Sequence, residues 1–227
     1  PYTQENYVSK IIAVINQKGG VGKTTTSIQL AGALTRAKLS TLLVDADPQG
    51  TATQWIQAAP EGRPSLISAV SLATARGKLH QEVAKFVKNY AYIIVDCPPN
   101  AESDAWKSVL TIADLALVPV RPDPGDLLSS VAFVEAARQI ATKGNPTLQM
   151  RFVASNIRGG TSLAKAMHSD LAALVPDVPL LNSQLSQRVA FPNSFGYGDS
   201  VHAMGARGAA AAEEVDALAV EILKILK

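Results

Sequence analysis

Between residues 11 and 34 the chain passes from an apolar run, through a loop dense in glycine, into a segment with helical periodicity. Ile11, Ile12, Ala13, Val14 and Ile15 are mostly β-branched and uninterrupted, the pattern of a strand buried on both faces. Ile28, Leu30, Ala31 and Leu34 follow at spacings that suit a helix packed on a sheet. Between them, residues 18–25 read Lys-Gly-Gly-Val-Gly-Lys-Thr-Thr. Glycines let backbone N–H groups curl around an anion, and a helix N-terminus adds unpaired donors and a favourable dipole. The ending Gly22-Lys23-Thr24 provides a lysine for outer phosphates and a hydroxyl for Mg²⁺. A Gly/Lys-rich surface turn is the competing explanation, and it weakens because two further segments fit the same chemistry.

The remaining pattern alternates strand and helix with no break in composition, which predicts a parallel sheet covered on both sides. Strands are expected at 9–16, 41–45, 91–96, 114–120, 149–155 and, briefly, 178–181. Helices are expected at 23–37, 51–59, 78–89, 102–112, 126–142, 161–174 and 209–226, while 60–76 is hard to assign. The fold class is therefore α/β: three layers, with a mostly parallel twisted sheet flanked by helices. Residues 9–227 form one domain, and 227 residues are enough for a large core. Residues 1–8 are set apart as an extension, because a start at Pro1 suggests processing or engineering. An apolar content of 47% and a charged content of 18% exclude general disorder. The formal charge of +2 carries no strong nucleic-acid footprint, though a local basic patch remains open. A single cysteine, Cys97, allows no internal disulfide. With no signal pattern and no membrane-length apolar run, a cytoplasmic location is expected.

Two carboxylate segments complete the expected site. Residues 41–50, Thr-Leu-Leu-Val-Asp-Ala-Asp-Pro-Gln-Gly, end a strand with Asp45 and Asp47, and alternation would aim both to one side. Alone this is also a plain Asp-Pro turn. Beside a phosphate loop it suits Mg²⁺ and an attacking water, which both favour carboxylate oxygens. Residues 92–99, Tyr-Ile-Ile-Val-Asp-Cys-Pro-Pro, form an apolar strand ending in Asp96, placed to reach the water shell of Mg²⁺. Cys97 reads as a packed residue rather than a nucleophile, since no histidine partner is suggested nearby.

The general phosphate-loop pattern has a glycine where this chain has Gln17, and Lys18 stands at the front of the loop instead. This resembles the deviant Walker A motif of the ParA/MinD family of dimeric ATPases. Residues 41–50 resemble the family's A′ segment, 92–99 its Walker B strand, and Pro98-Pro99 with 100–104 its switch segment. The proline-rich stretch Val118–Asp126 and the tail resemble small plasmid-type ParA proteins, and the likeness runs from about residue 9 to the end. The resemblance implies nucleotide binding by Lys18, Gly19, Gly20, Val21, Gly22, Lys23, Thr24 and Thr25. It assigns metal contacts, partly through water, to Thr24, Asp45 and Asp96, and catalytic roles to Lys18, Lys23 and Asp47. Lys18 reaches into the partner subunit's site, and Asp47 orients the hydrolytic water. Asn156, at a strand end before Arg158-Gly-Gly, is assigned to adenine, against the alternative of a turn-forming asparagine. Arg188 and Arg207 are assigned to DNA phosphates, against the alternative of solvated helix charges.

The resemblance further implies ATP and Mg²⁺ as cofactors and an ATP-dependent homodimer. That dimer would bind non-specific DNA over the nucleoid and respond to a centromere-binding adaptor of ParB/ParG type, giving a DNA-partition ATPase. Without a helix-turn-helix domain ahead of the loop, repression of its own operon is not expected. One alternative is a MinD-like positioning ATPase on membranes. No stable membrane association is expected, however, because the tail carries Glu213, Glu214, Asp216 and Glu221 against Lys224 and Lys227. Another alternative keeps the chemistry and positions a protein assembly. A tyrosine kinase lacks its C-terminal tyrosine cluster here, and an iron–sulfur reductase lacks its cysteines.

Overall fold

The computed structural model describes residues 9–100, 103–158 and 162–227. The expected extension 1–8 and the first residues of the helices expected at 102 and 161 lie outside the described residues. Seven parallel strands, β1 (Lys10–Val14), β2 (Thr41–Asp45), β3 (Ser68–Ser71), β4 (Tyr92–Asp96), β5 (Leu115–Val120), β6 (Gln149–Ile157) and β7 (Leu180–Ser186), form one sheet. Their order is β3-β2-β4-β1-β5-β6-β7. The helices are α1 (Lys23–Arg36), α2 (Thr51–Gln57), α3 (Leu79–Ala84), α4 (Asp104–Leu110), α5 (Pro124–Gly144), α6 (Ser162–Leu174), α7 (Ala190–Asn193) and α8 (Ala209–Ile225).

Uninterrupted apolar strands make sense because both faces of the sheet are covered. Ile11, Ala13 and Ile15 of the β1 segment face a core shared with Trp106, Val109, Phe133, Val134 and Leu171 from α4, α5 and α6. Ile12 and Val14 face the opposite core, with Ile28 and Leu34 of α1 and Val215, Leu218 and Ile222 of α8. Central β1 and β4 run in register, so that Val14 pairs with Asp96, and Asp45 of β2 lies opposite Asp96 from the other side. Parallel strands bring all their carboxyl ends to one edge, where ligand crevices form.

The differences from expectation have local causes. Strand β3 lies inside the unassigned stretch 60–76; it is four residues long, mostly exposed and half serine, so it lacks an apolar signature. Strand β7 begins at Leu180 and runs to Ser186 instead of ending near 181, because Asn182, Ser183 and Gln184 conceal it. Helix α3 is shorter than 78–89: after Ala84 the chain turns through i to i+3 bonds such as Phe86 N to Val83 O, 3.0 Å. Helix α5 starts two residues early, with Pro124 in its first turn and the Asp123 carboxylate accepting from Asp126 N at 3.1 Å. Residues 187–208, without any assignment from sequence, form α7 and 3₁₀ turns. They are fastened to α2 where Trp55 Nε1 donates to Asp199 O at 3.1 Å.

The acidic face of α8 has a structural use. Among the described residues no further strand satisfies the outer backbone donors of edge strand β7. Glu221 accepts from Asn182 N at 2.9 Å and Ser183 N at 2.8 Å, and Glu214 accepts from Ser186 N at 2.8 Å. Among the described residues no helix is long and apolar enough to cross a membrane.

Partial burial works against ionisation of Glu221, but the hydrogen bonds from Asn182 and Ser183 outweigh it and hold its carboxyl below the usual range. That stabilisation is present above the ordinary glutamate pKa and is lost as pH falls through the lowered one. Glu221→Gln is expected to cost about 1 kcal/mol at neutral pH, the low end for a charged hydrogen bond because solvent reaches the carboxylate. Denaturant unfolding checks this, and the difference between variant and parent should shrink as the solution is acidified.

Candidate functional site

The phosphate loop is anchored at its root. Asn16, buried just beyond β1, donates from Nδ2 to Pro119 O and to Ser130 Oγ, both at 2.9 Å, and accepts from Lys18 N at 3.1 Å. On the other side Ser155 Oγ of β6 donates to Val21 O at 2.6 Å. Gly20 and Gly22 take left-handed φ values of 74° and 92°, which an ordinary side chain resists. Helix α1 starts at Lys23 with no side-chain cap, so its first N–H groups are free for an anion. Thr26 Oγ1, one turn in, is buried without a hydrogen-bond partner.

Lys23 is buried and donates from Nζ to Lys18 O at 2.9 Å. Burial lowers its pKa, against the attraction of Asp96 and Asp47. A cation held at this cost is stabilised by any anion entering the loop. Asp96 is fully enclosed: Thr24 Oγ1 donates to its Oδ2 at 2.7 Å, and Ser27 Oγ lies 2.9 Å from its Oδ1. Burial is the dominant influence and raises the Asp96 pKa to about 7, against the hydrogen bonds from Thr24 and Ser27; the nearby Asp45 adds to the rise and Lys23 opposes it.

Asp45 also sits at the site, buried, but its carboxylate is committed to the neighbouring helix. Its Oδ2 accepts from both the N and Oγ1 of Thr53 at 2.8 Å, and its Oδ1 accepts from Asp47 N at 3.1 Å. Strand alternation does not reach Asp47, because β2 ends at Asp45 and Asp47 lies in the turn, accepting from Gln49 N at 2.9 Å. Of the switch-like segment 98–104, residues 101 and 102 lie outside the described residues.

A cleft of about 240 Å³ opens beside the loop, lined by Gly20, Gly22, Thr25, Asn156, Arg188 and Pro192 among others. Asn156 is exposed at the end of β6 with φ 54°, a left-handed conformation that asparagine tolerates better than most residues. Arg188, expected on DNA, lines this cleft and is held there by Glu214 Oε1 at 2.8 Å. Arg207 is exposed in the 3₁₀ turn Val201–Gly208 and does not line the cleft.

The two loop lysines diverge. Lys23 points into its own loop, whereas Lys18 Nζ pairs with Asp126 in the first turn of α5 and keeps 39% of its side chain exposed. Arg121 Nε donates to the other Asp126 oxygen at 2.5 Å. Asn16, Ser27, Arg121 and Asp126 were not found by reading motifs. Ser27, four residues past Lys23, carried a helical-spacing signal; Arg121 and Asp126 lie in the proline-rich stretch marked by its resemblance, and Asn16 carries none without the fold.

A loop of this geometry, at the carboxyl edge of a parallel sheet with a buried acid facing its threonine, defines a phosphate-loop nucleotide-binding domain. Residues 12–201 match the CobQ/CobB/MinD/ParA nucleotide binding domain, and the chain belongs to that family. It is 33% identical over 217 residues to Maintenance of carboxysome distribution protein A of Halothiobacillus neapolitanus, covering 93% of this chain and 95% of that protein. It is 30% identical over 190 residues to the chromosome-partitioning ATPase Soj of Thermus thermophilus, covering 71% and 75% respectively. The solved structure of cobyrinic acid a,c-diamide synthase from Mycobacterium smegmatis, with bound ADP and magnesium, shares the fold with a TM-score of 0.74. The match is at 22% identity and covers 95% of this chain and 94% of that one.

An Asp96 pKa near 7, against 3.8 ordinarily, means that the fold favours the protonated acid. That stabilisation is complete below the ordinary value and is lost as pH rises toward 7. Asp96→Asn is therefore expected to raise the thermal midpoint of the nucleotide-free protein, with a gain that grows from pH 5 to pH 7 and then levels off. Scanning calorimetry across that range checks it; a difference independent of pH would contradict the burial argument.

Proposed function

We propose that the protein is an ATP- and Mg²⁺-dependent DNA-partition ATPase that works as a nucleotide-gated switch. The observation that carries this reading is the divergence of the two loop lysines. One buried lysine serves the subunit's own phosphate loop, and a second, 39% exposed at its side chain, lies outside that loop against Asp126.

The donor set fits the cofactors. The uncapped N–H groups of α1, the loop glycines and Lys23 suit a triphosphate, and the Thr24 hydroxyl with the Asp96 carboxylate suits Mg²⁺. Among the described residues no cluster of three or more His, Cys, Asp or Glu side chains could hold a metal ion. Mg²⁺ held there would supply positive charge to offset that of the phosphates. With the cation in place Asp96 would give up its proton and offer a carboxylate, Asp47 orients the attacking water, and Asp45 holds α2 and the Asp47 turn in place. Asn156 and the rim near Arg188 take the base and ribose. With ATP bound, two copies close face to face, Lys18 of each entering the other's site.

The paired form holds DNA through phosphate contacts, for which exposed Arg207 is the better placed of the two arginines. A centromere-binding adaptor of ParB/ParG type stimulates hydrolysis and resets the switch in the nucleoid-bearing cytoplasm. A second reading keeps this cycle and replaces plasmid or chromosome cargo with a protein assembly. Similarity along 93% of the chain to a protein that maintains carboxysome distribution favours it.

Retention of a plasmid-length, unrelated duplex is expected with ATP or a slowly hydrolysed analogue, not with ADP, and is expected to vanish in Lys18→Ala. Arg207→Ala should weaken retention by about tenfold in moderate salt without changing nucleotide affinity. Nucleotide-dependent pairing with no DNA retention would overturn the partition reading in both its forms.

A further inference from the structure

Asp126 is a fully buried carboxylate that receives two cations, Arg121 on one oxygen and Lys18 on the other. It stands in the first turn of α5, where its backbone N–H is already held by the Asp123 cap. Burial works against ionisation of Asp126, but the hydrogen bond from Arg121 and the positive charges of Arg121 and Lys18 outweigh it and hold the carboxyl below the usual range. The group is therefore an anion at neutral pH, and its grip on Lys18 is electrostatic.

We propose that Asp126 is a latch that holds Lys18 against its own subunit and must release it before two copies can close. The proposal rests on the pairing role given to Lys18 above and adds the regulation of that site. Three observations support it. Lys18 cannot serve a second copy while its amine lies on Asp126, so the latched population lowers the apparent readiness to pair by the fraction it occupies. The side chains of Lys18 and Arg121 are 39% and 35% exposed, so the amine can leave toward solvent. Asn16 holds Lys18 N and Lys23 holds Lys18 O, so release needs only the side chain to move while the loop keeps its shape.

Arg121 makes the latch reversible. Removing the sole partner of a buried charge is strongly unfavourable. With Arg121 on Oδ2 at 2.5 Å, Asp126 keeps a counter-charge after Lys18 departs. Two substitutions should therefore act in opposite directions, which a merely structural role for the cluster would not produce. Asp126→Asn removes the anion and frees the lysine. Arg121→Met leaves Lys18 as the only cation on Asp126 and tightens the hold.

Two measurements test this on the full chain. Brief acetic anhydride labelling of the nucleotide-free protein, read by peptide mass spectrometry, should modify Lys18 more slowly than exposed Lys38. Labelling of Lys18 should accelerate in Asp126→Asn and slow further in Arg121→Met. Titration with a slowly hydrolysed ATP analogue and Mg²⁺, followed by light scattering, should show pairing at roughly three- to tenfold lower analogue concentration in Asp126→Asn. In Arg121→Met the midpoint should shift to higher concentration. Equal labelling of Lys18 and Lys38 in the parent protein would overturn the latch, as would both variants moving the midpoint in the same direction. If the parent labels as expected but never pairs, the role given to Lys18 under the proposed function falls, and the latch's regulatory meaning with it. Should Asp126→Asn fail to fold, the labelling of the parent and the direction of Arg121→Met still decide the question.

Discussion

Everything around the phosphate loop is organised by one carboxylate that water does not reach. Asp96 ends the central strand β4, facing the first turn of α1, and two hydroxyls of that helix, Thr24 and Ser27, take its oxygens. A buried acid without such donors would be costly. With them it joins sheet to helix at the point where the loop must hold its shape. Because β1 and β2 flank β4 in register, the same contact sets the distance between the loop and Asp45. The fold tolerates the burial by raising the acid's pKa, so the nucleotide-free site stores an electrostatic cost that an incoming cation can relieve.

Lys23 is disfavoured in the opposite sense, being a buried cation with a lowered pKa. Placing a reluctant cation and a reluctant anion on either side of Thr24 makes the site more favourable when a phosphate–metal pair enters than when it is bare. Affinity then comes partly from relief of burial rather than from new contacts alone. At the other end of the loop, Lys18 is treated differently. Its charge lies at the surface on a buried partner, an arrangement suited to exchange rather than to permanent attachment.

The motif segments were legible because each pairs an apolar strand with a polar residue at its carboxyl end, and parallel topology makes those ends converge. The loop, Asp45 and Asp96 therefore read correctly as neighbours. Asp45's bond to Thr53 was not legible, nor was the end of β2 before Asp47, since both depend on how α2 packs. Arg188 illustrates the limit most clearly. The resemblance assigned it to DNA phosphates, and only the fold shows it paired with Glu214, 26 residues away on α8, beside the cleft. Strands β3 and β7 were missed or misplaced for a related reason. Edge strands need no apolar alternation when a helix carboxylate or solvent satisfies them.

By itself the sequence determined the alternating α/β architecture, the phosphate loop and its two acids. These are encoded by residues close together in the chain, through local periodicity and through glycines that permit a conformation other residues resist. Only the tertiary structure decided which charges meet. The pairing of Lys18 with Asp126, of Asp96 with Ser27 and of Glu214 and Glu221 with β7 joins residues from 28 to 108 positions apart. A charge's partner is chosen by packing distance and burial, and neither quantity is written in the neighbours along the chain.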